Sequence, residues 1–247
     1  MNVPLRTSLL FGALLVVAGL AGRGTGSPVQ PPAVACTVPA TAAGLGNLER
    51  RPSGRALRIV ALGSSSTAGQ GASRPSLGYV AQLQAMLQRS WGAARVEVLN
   101  RGVGGDTLGM EMARSARDVY ALRPDLVLLQ TGTNDAMKGV PPEVFRRQLD
   151  GFVRDLRGRG LAVLLIDNQY LPQQVDAPEY QGVLAAMRSV AREQGVTLVS
   201  RFALGQRLTD AGWRPDDLLA ADHFHPNDFM HWCTAQAIAS TLEAAVE

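Results

Sequence analysis

The chain predicts an α/β fold: a three-layer α/β/α sandwich on a five-stranded parallel sheet. Two observations carry this. Leu57–Leu62 and Leu161–Ile166 are near-continuous apolar runs with little polar alternation, as in strands covered on both faces. From about residue 56 onward, short strand-like runs alternate with stretches of helical period without a break, the pattern of βαβ units.

Arg6 precedes an uninterrupted apolar and small-residue run, Leu9 to Ala21, followed by Gly, Ser and Pro. A positive start, an apolar stretch too short to span a bilayer comfortably and small residues after it describe a secretory signal over residues 1–21. An uncleaved anchor and a lipid-modified Cys36 are the alternatives, although Ala33 stands where a lipid-attachment motif wants leucine. Residues 22–55, rich in Pro, Gly, Ala and Thr without period, read as a linker or N-terminal arm, and residues 56–247 as one domain.

Within that domain the expected strands are Leu57–Leu62, Arg95–Leu99, Asp125–Gln130, Leu161–Ile166 and Val196–Val199. Gly78–Trp91 carries Val80, Leu83, Met86 and Leu87 at helical spacing. A helix is expected to follow the glycine-rich turn Asn100–Thr107 and run to about Tyr120. Pro141 and Pro142 open another to about Arg157, since a proline in the first turn loses no hydrogen bond. Helices near Tyr180–Gln194, Phe202–Ala211 and Asn227–Ala245 complete the series.

At 247 residues, with 46% hydrophobic and 18% charged residues, the chain can bury a substantial core. A net charge of +3, scattered and carried almost wholly by arginine beside the single Lys138, argues against a nucleic-acid partner. Cys36 and Cys233 could pair in an oxidising compartment, or Cys233 could be a buried thiol, and the sequence does not separate the two.

Four polar stretches fall at the expected carboxyl ends of strands or just before the last helix: Gly63–Thr67, Asn100–Thr107, Gly132–Asp135 and Asp222–Pro226. Ligands of open α/β sheets bind along that edge. Serine becomes a nucleophile when a base takes its proton, and histidine suits that near neutral pH. His225 has Asp222 three residues before it to fix its tautomer. Glycine-loop N–H groups and the Asn134 amide can serve an oxyanion. Each feature alone has a plainer reading: capping hydroxyls at Ser64, Ser66 and Thr67, turn glycines at 104 and 105, a polar turn at Asn134, a solvated Asp222. In order, at successive strand ends, they form a complete acyl-transfer set.

These four stretches resemble the conserved blocks of the SGNH hydrolase superfamily, the GDSL-type esterases and lipases, over roughly Arg58 to the C-terminus. The resemblance implies a flavodoxin-like sheet of order 2-1-3-4-5. It assigns Ser65 as nucleophile, Asp222 and His225 as its partners, and Ser65, Gly105 and Asn134 to the oxyanion hole. It implies a serine ester hydrolase that needs no cofactor and no metal, with candidate substrates in carbohydrate O-acetyl groups and other short-chain esters. Thioesterases and lysophospholipases belong to the same superfamily, and a non-catalytic glycan-binding module on this fold is the rival from another class. One departure is clear: Ser64 stands where the family pattern has aspartate, which leaves the acting serine slightly open, with register to Gly63 and Thr67 favouring Ser65. The expected location is periplasmic or extracellular, with no membrane span in the mature chain. His223 is expected in a loop near the site, His231 on a helix surface, and Asp216 and Asp217 as surface charges or a reserve acid. Trp213, Trp232, Phe224 and Phe229 should pack under the last helix, with Phe224 alone placed to line a pocket. Oligomeric state is not legible.

Overall fold

The computed structural model describes Met1, Cys36, Leu45, Leu48 and residues 55–246; the expected signal, apart from Met1, and most of the expected arm lie outside the described residues. Five strands, β1 (Leu57–Gly63), β2 (Val96–Gly102), β3 (Leu126–Gln130), β4 (Ala162–Ile166) and β5 (Thr197–Val199), form one parallel sheet. Their order is β2-β1-β3-β4-β5, as expected. The chain winds one way from β1 to β2 and the other way from β3 onward, so the crevice at the carboxyl ends of β1 and β3 is where such sheets hold ligands. Gly63 is level there with both Gly102 and Gln130.

The helices are α1 (Ser65–Ala68), α2 (Tyr79–Trp91), α3 (Leu108–Ala113), α4 (Ser115–Asp118), α5 (Thr133–Met137), α6 (Pro142–Gly158), α7 (Pro178–Gln194), α8 (Arg201–Asp210) and α9 (Asp228–Val246). Successive strand residues point to opposite faces and so build two cores. Val60, Leu62, Val127, Leu129, Val163 and Leu165 meet α3, α6 and α7 on one side. Ile59, Ala61, Leu126, Leu128 and Leu164 meet α2 and α9 on the other. These side chains are essentially fully buried, and each valine, leucine and isoleucine among them contributes about 1.5–3 kcal/mol by leaving water. Leu45 and Leu48 are buried in the second core too, so at these points the expected arm lies against the domain.

Two elements differ from expectation. β2 runs on through Asn100, Arg101 and Gly102, which pair with Ala61, Leu62 and Gly63. Backbone groups alone make that ladder, so polar residues of an edge strand can continue it. Gly102 is required there, because a Cβ would sit 2.1 Å from the Ala68 nitrogen, where α1 crosses the strand end. The helix expected to reach Tyr120 is broken instead at Arg114 (φ −101°, ψ 2°), whose side chain turns inward.

On α9 the structure corrects one expectation. His231 is not on the helix surface; it is 1% exposed. Its Nδ1 accepts the Tyr79 backbone N–H at 3.2 Å and its Nε2 donates to the Gln70 carbonyl at 3.0 Å. Helical position alone did not reveal that α2 crosses this face of α9. Trp213 stacks on Phe229 at 4.7 Å, and both pack with Trp232 around Cys36, Leu204, Leu208, Leu218, Met230 and Cys233. Cys36 and Cys233 are joined by a disulfide across 197 residues of chain.

Closing so long a loop restricts the unfolded ensemble, so reduction should cost about 2–5 kcal/mol of stability, read as a lower urea midpoint in dithiothreitol. An unchanged midpoint would contradict it. Burial, opposed by the hydrogen bond to Gln70, lowers the His231 pKa to about 4. The unfolded histidine, near 6.5, therefore takes up a proton on acidification before the folded one does. The contribution of neutral His231 is present above pH 6.5 and shrinks as pH falls from about 6.5 to about 4, by about 3 kcal/mol in all. Asp167, raised to about 6 by burial, acts with the opposite sign in part of this window. The difference in unfolding free energy between wild type and His231→Gln isolates the histidine, and should narrow steadily across that range.

Candidate active site

The turn after β1 spends its hydroxyls selectively. Ser64 and Thr67 both reach the Gln130 side-chain oxygen, from the Ser64 N–H at 3.2 Å and the Thr67 Oγ1 at 2.9 Å. Thr67 Oγ1 also meets the Tyr79 hydroxyl at 2.8 Å. Ser66 Oγ donates to Gln169 Oε1 at 3.1 Å. These hydroxyls therefore brace the turn rather than cap α1, for which Ser64 makes no side-chain capping bond. Ser65 alone among the four has a hydroxyl with no hydrogen-bond partner among the described residues, and it opens α1, where backbone N–H groups have no helical acceptor.

The turn after β2 is fastened to β1 by Val103 N–H donating to Gly63 O at 2.9 Å. Gly105 has φ 81°, a backbone conformation glycine takes freely, and open space where a Cβ would be. Its carbonyl accepts from Lys138 Nζ at 2.6 Å. Asn134, on α5, donates its Nδ2 to the Asp106 carbonyl at 2.8 Å, which leaves the second amide hydrogen free. Asp135 holds the same two segments together by accepting the Leu108 N–H at 3.1 Å and the Gly132 N–H at 3.3 Å. Gly105 and Asn134 are thus brought side by side.

Arg114 fixes this arrangement to the sheet. Its guanidinium donates to Asp106 at 2.7 Å, to Asp118 and the Arg101 carbonyl at 2.9 Å each, and to the Gly63 carbonyl at 3.0 Å. Behind it, Glu111 is fully buried, and burial, reinforced by the Asp135 charge, pushes its pKa well above the carboxylate range.

The turn before α9 carries Asp222 and His225. Asp222 Oδ2 meets His225 Nδ1 at 2.6 Å, while Oδ1 accepts the backbone N–H of Phe224 at 3.0 Å and of His225 at 2.9 Å. Partial burial works against ionisation of Asp222, but these bonds outweigh it and hold the pKa at about 2. The Phe224 ring stands edge-on to the imidazole at 4.9 Å. His223 pairs with Asp216 at 3.1 Å and Asp217 with Arg214, so neither acid of that pair serves His225.

This turn is docked on the serine turn. Gln169 accepts from Ser66 and donates to the Phe224 carbonyl at 2.6 Å. Gly71 lies so close that a Cβ would stand 2.7 Å from the His225 Cβ. No hydrogen bond joins Ser65 to His225 directly, and unliganded sites often keep that contact long. Gln130, Gln169 and Arg114 were not singled out in the sequence, and Asp135 only as the end of the Gly132–Asp135 stretch; the two glutamines could have been found as polar residues ending or just following apolar strands. Among the described residues no set of three His, Cys, Asp or Glu side chains is arranged to hold a metal, and no helix is long and apolar enough to cross a membrane.

The chain is similar to known proteins over most of its length. Residues 33–247 match the Non-GDSL lipase-like family. An arylesterase of Vibrio mimicus is 26% identical over 147 residues, 60% of this chain and 70% of that protein. Esterase TesA of Pseudomonas aeruginosa is 28% identical over 169 residues, 68% of this chain and 79% of its own length. The crystal structure of a two-domain esterase active on acetylated mannans superposes with a TM-score of 0.71 at 26% identity over 83% of this chain; the chain spans 54% of that protein. The chain belongs to the Non-GDSL lipase-like family and, through it, to the SGNH hydrolases, and is an ester hydrolase.

Proposed function

We propose that this protein is an exported serine esterase that works through an acyl-enzyme on short-chain esters, with acetylated carbohydrate as the preferred substrate class. The observation that carries the mechanism is the Asp222–His225 bond at Nδ1, which turns the other ring nitrogen into the proton acceptor, on a turn docked against the Ser65 turn through Gln169 and Gly71. Ser65 Oγ attacks the acyl carbon as its proton passes to His225 Nε2. The backbone N–H groups of Ser65 and Gly105 and the free amide hydrogen of Asn134 receive the oxyanion. The intermediate collapses as His225 protonates the departing alcohol, and water, deprotonated by the same nitrogen, releases the acid.

The leader-like N-terminus and a disulfide, which persists in oxidising compartments, support export. The relatives' names support the substrate class: one is an arylesterase, and the two-domain enzyme acts on acetylated mannans.

Ser65→Ala should lower turnover of p-nitrophenyl acetate by about four orders of magnitude and abolish labelling by a fluorophosphonate probe, with an unchanged melting curve. Ser66→Ala should still label; labelling that followed Ser66 instead would reassign the nucleophile. Rates should fall steeply from acetyl to longer acyl chains. Arg114→Lys keeps the charge but loses the planar fork, so the oxyanion turn shifts against the sheet. We expect kcat/KM to fall by about tenfold to a hundredfold with most of the change in kcat, measured by steady-state kinetics on folded protein.

A further inference from the structure

At the amino ends of β1, β3 and β4, on the edge opposite the serine and histidine turns, the surface opens into a pocket of about 570 Å³. This is within the range of small-molecule sites, roughly 300–1,000 Å³. Arg55, Arg58, Arg123 and Arg159 line it, with Asp125 as its one acidic residue and Tyr120 as part of its apolar wall. Asp125 is already occupied: it accepts the Arg58 backbone N–H at 2.8 Å and is paired with Arg55. Arg58 gives its Nε to Glu97 and one Nη1 hydrogen to the Leu122 carbonyl, which leaves further N–H groups unspent. The Arg159 guanidinium carbon stands over the Tyr120 ring, 4.2 Å from its centroid, with its Nε on Asp155 and its remaining donors free. Arg123 is exposed; its backbone N–H closes the turn onto the Tyr120 carbonyl at 3.2 Å, but its guanidinium has neither a hydrogen-bond nor an ion-pair partner among the described residues.

Arg123 is unusual in a second way. Its φ of 48° and ψ of 57° place it in the left-handed region, at a turn end where glycine is the ordinary choice. It is one of two described non-glycine residues with positive φ. Keeping a β-carbon there costs backbone energy that no intramolecular contact of the guanidinium repays.

We infer that this pocket is a binding site for an oxyanion carried on a small, sugar-sized body, separate from the hydrolytic site. Planar guanidinium groups match the paired oxygens of phosphoryl and carboxylate groups, and both offer this chemistry. The Tyr120 ring and the neighbouring apolar wall would cover the uncharged part of the ligand. The site goes beyond the esterase reading and does not depend on it.

The test is isothermal titration of the full, oxidised protein with pyrophosphate, glucose 6-phosphate, glucuronate and neutral glucose, all at matched ionic strength. At least one anion should bind saturably at one site while glucose does not. Preference for the phosphates or for glucuronate identifies the source of the oxyanion. Arg123→Gly should weaken that anion by about tenfold, the loss expected of a charge-assisted bond, while the unliganded melting temperature stays level or rises because the strain is relieved. Hydrolysis of p-nitrophenyl acetate should be unchanged in the same variant. The inference is overturned if no anion saturates below about 10 mM, an affinity too weak to mark a site, or if Arg123→Gly together with Arg159→Gln binds as wild type does.

Discussion

A single guanidinium holds the carboxyl edge of the sheet, where the candidate site lies, in register. Arg114 reaches the Gly63 carbonyl at the end of β1, the Arg101 carbonyl near the end of β2, Asp106 in the turn after β2 and Asp118 in α4. The fan of planar N–H donors is what allows one side chain to address four acceptors at once. The cost is local, a helix interrupted at Arg114 itself. With its side chain only 12% exposed between two largely buried carboxylates, the arginine is an ion cluster in which the loss of any member strands the others. Gly105 and Asn134 sit where they do because Asp106 is held from both sides, by Arg114 at its carboxylate and by Asn134 at its carbonyl.

The missing aspartate of the serine turn has a physical substitute. Gln130, level with Gly63 on the neighbouring strand, gathers Ser64 and Thr67, and Gln169 gathers Ser66 and the histidine turn. A neutral amide both accepts and donates, so it can organise several hydroxyls in a dry place without a charge to neutralise. The selectivity that leaves Ser65 unengaged follows from this arrangement.

The sheet was legible because buried parallel strands write themselves as apolar runs, and β3 and β4 lie within one residue of their expected bounds. The ends of β2 and of the helix after it were not. Their limits are set by a backbone ladder with β1 and by the inward turn of Arg114, and neither leaves a period in the sequence. The residues expected at the site are gathered along one edge because each occupies a turn whose place the strand order dictates. Gln130 and Gln169, which brace the serine turn, are long polar side chains, and the hydroxyls they hold lie 63 to 103 residues away. His231 shows the same limit in one residue, since only the crossing of α2 over α9 decides whether that position is wet or dry.

The order of the elements also governs when the molecule becomes competent. The serine turn is among the first parts of the domain to be synthesised and the histidine turn among the last. The Gln70–His231 contact that seats one beside the other spans 161 residues. Under the proposed mechanism the Ser65 hydroxyl has no base to take its proton until α9 docks and brings the preceding turn beside α1, so hydrolysis waits on that long-range contact.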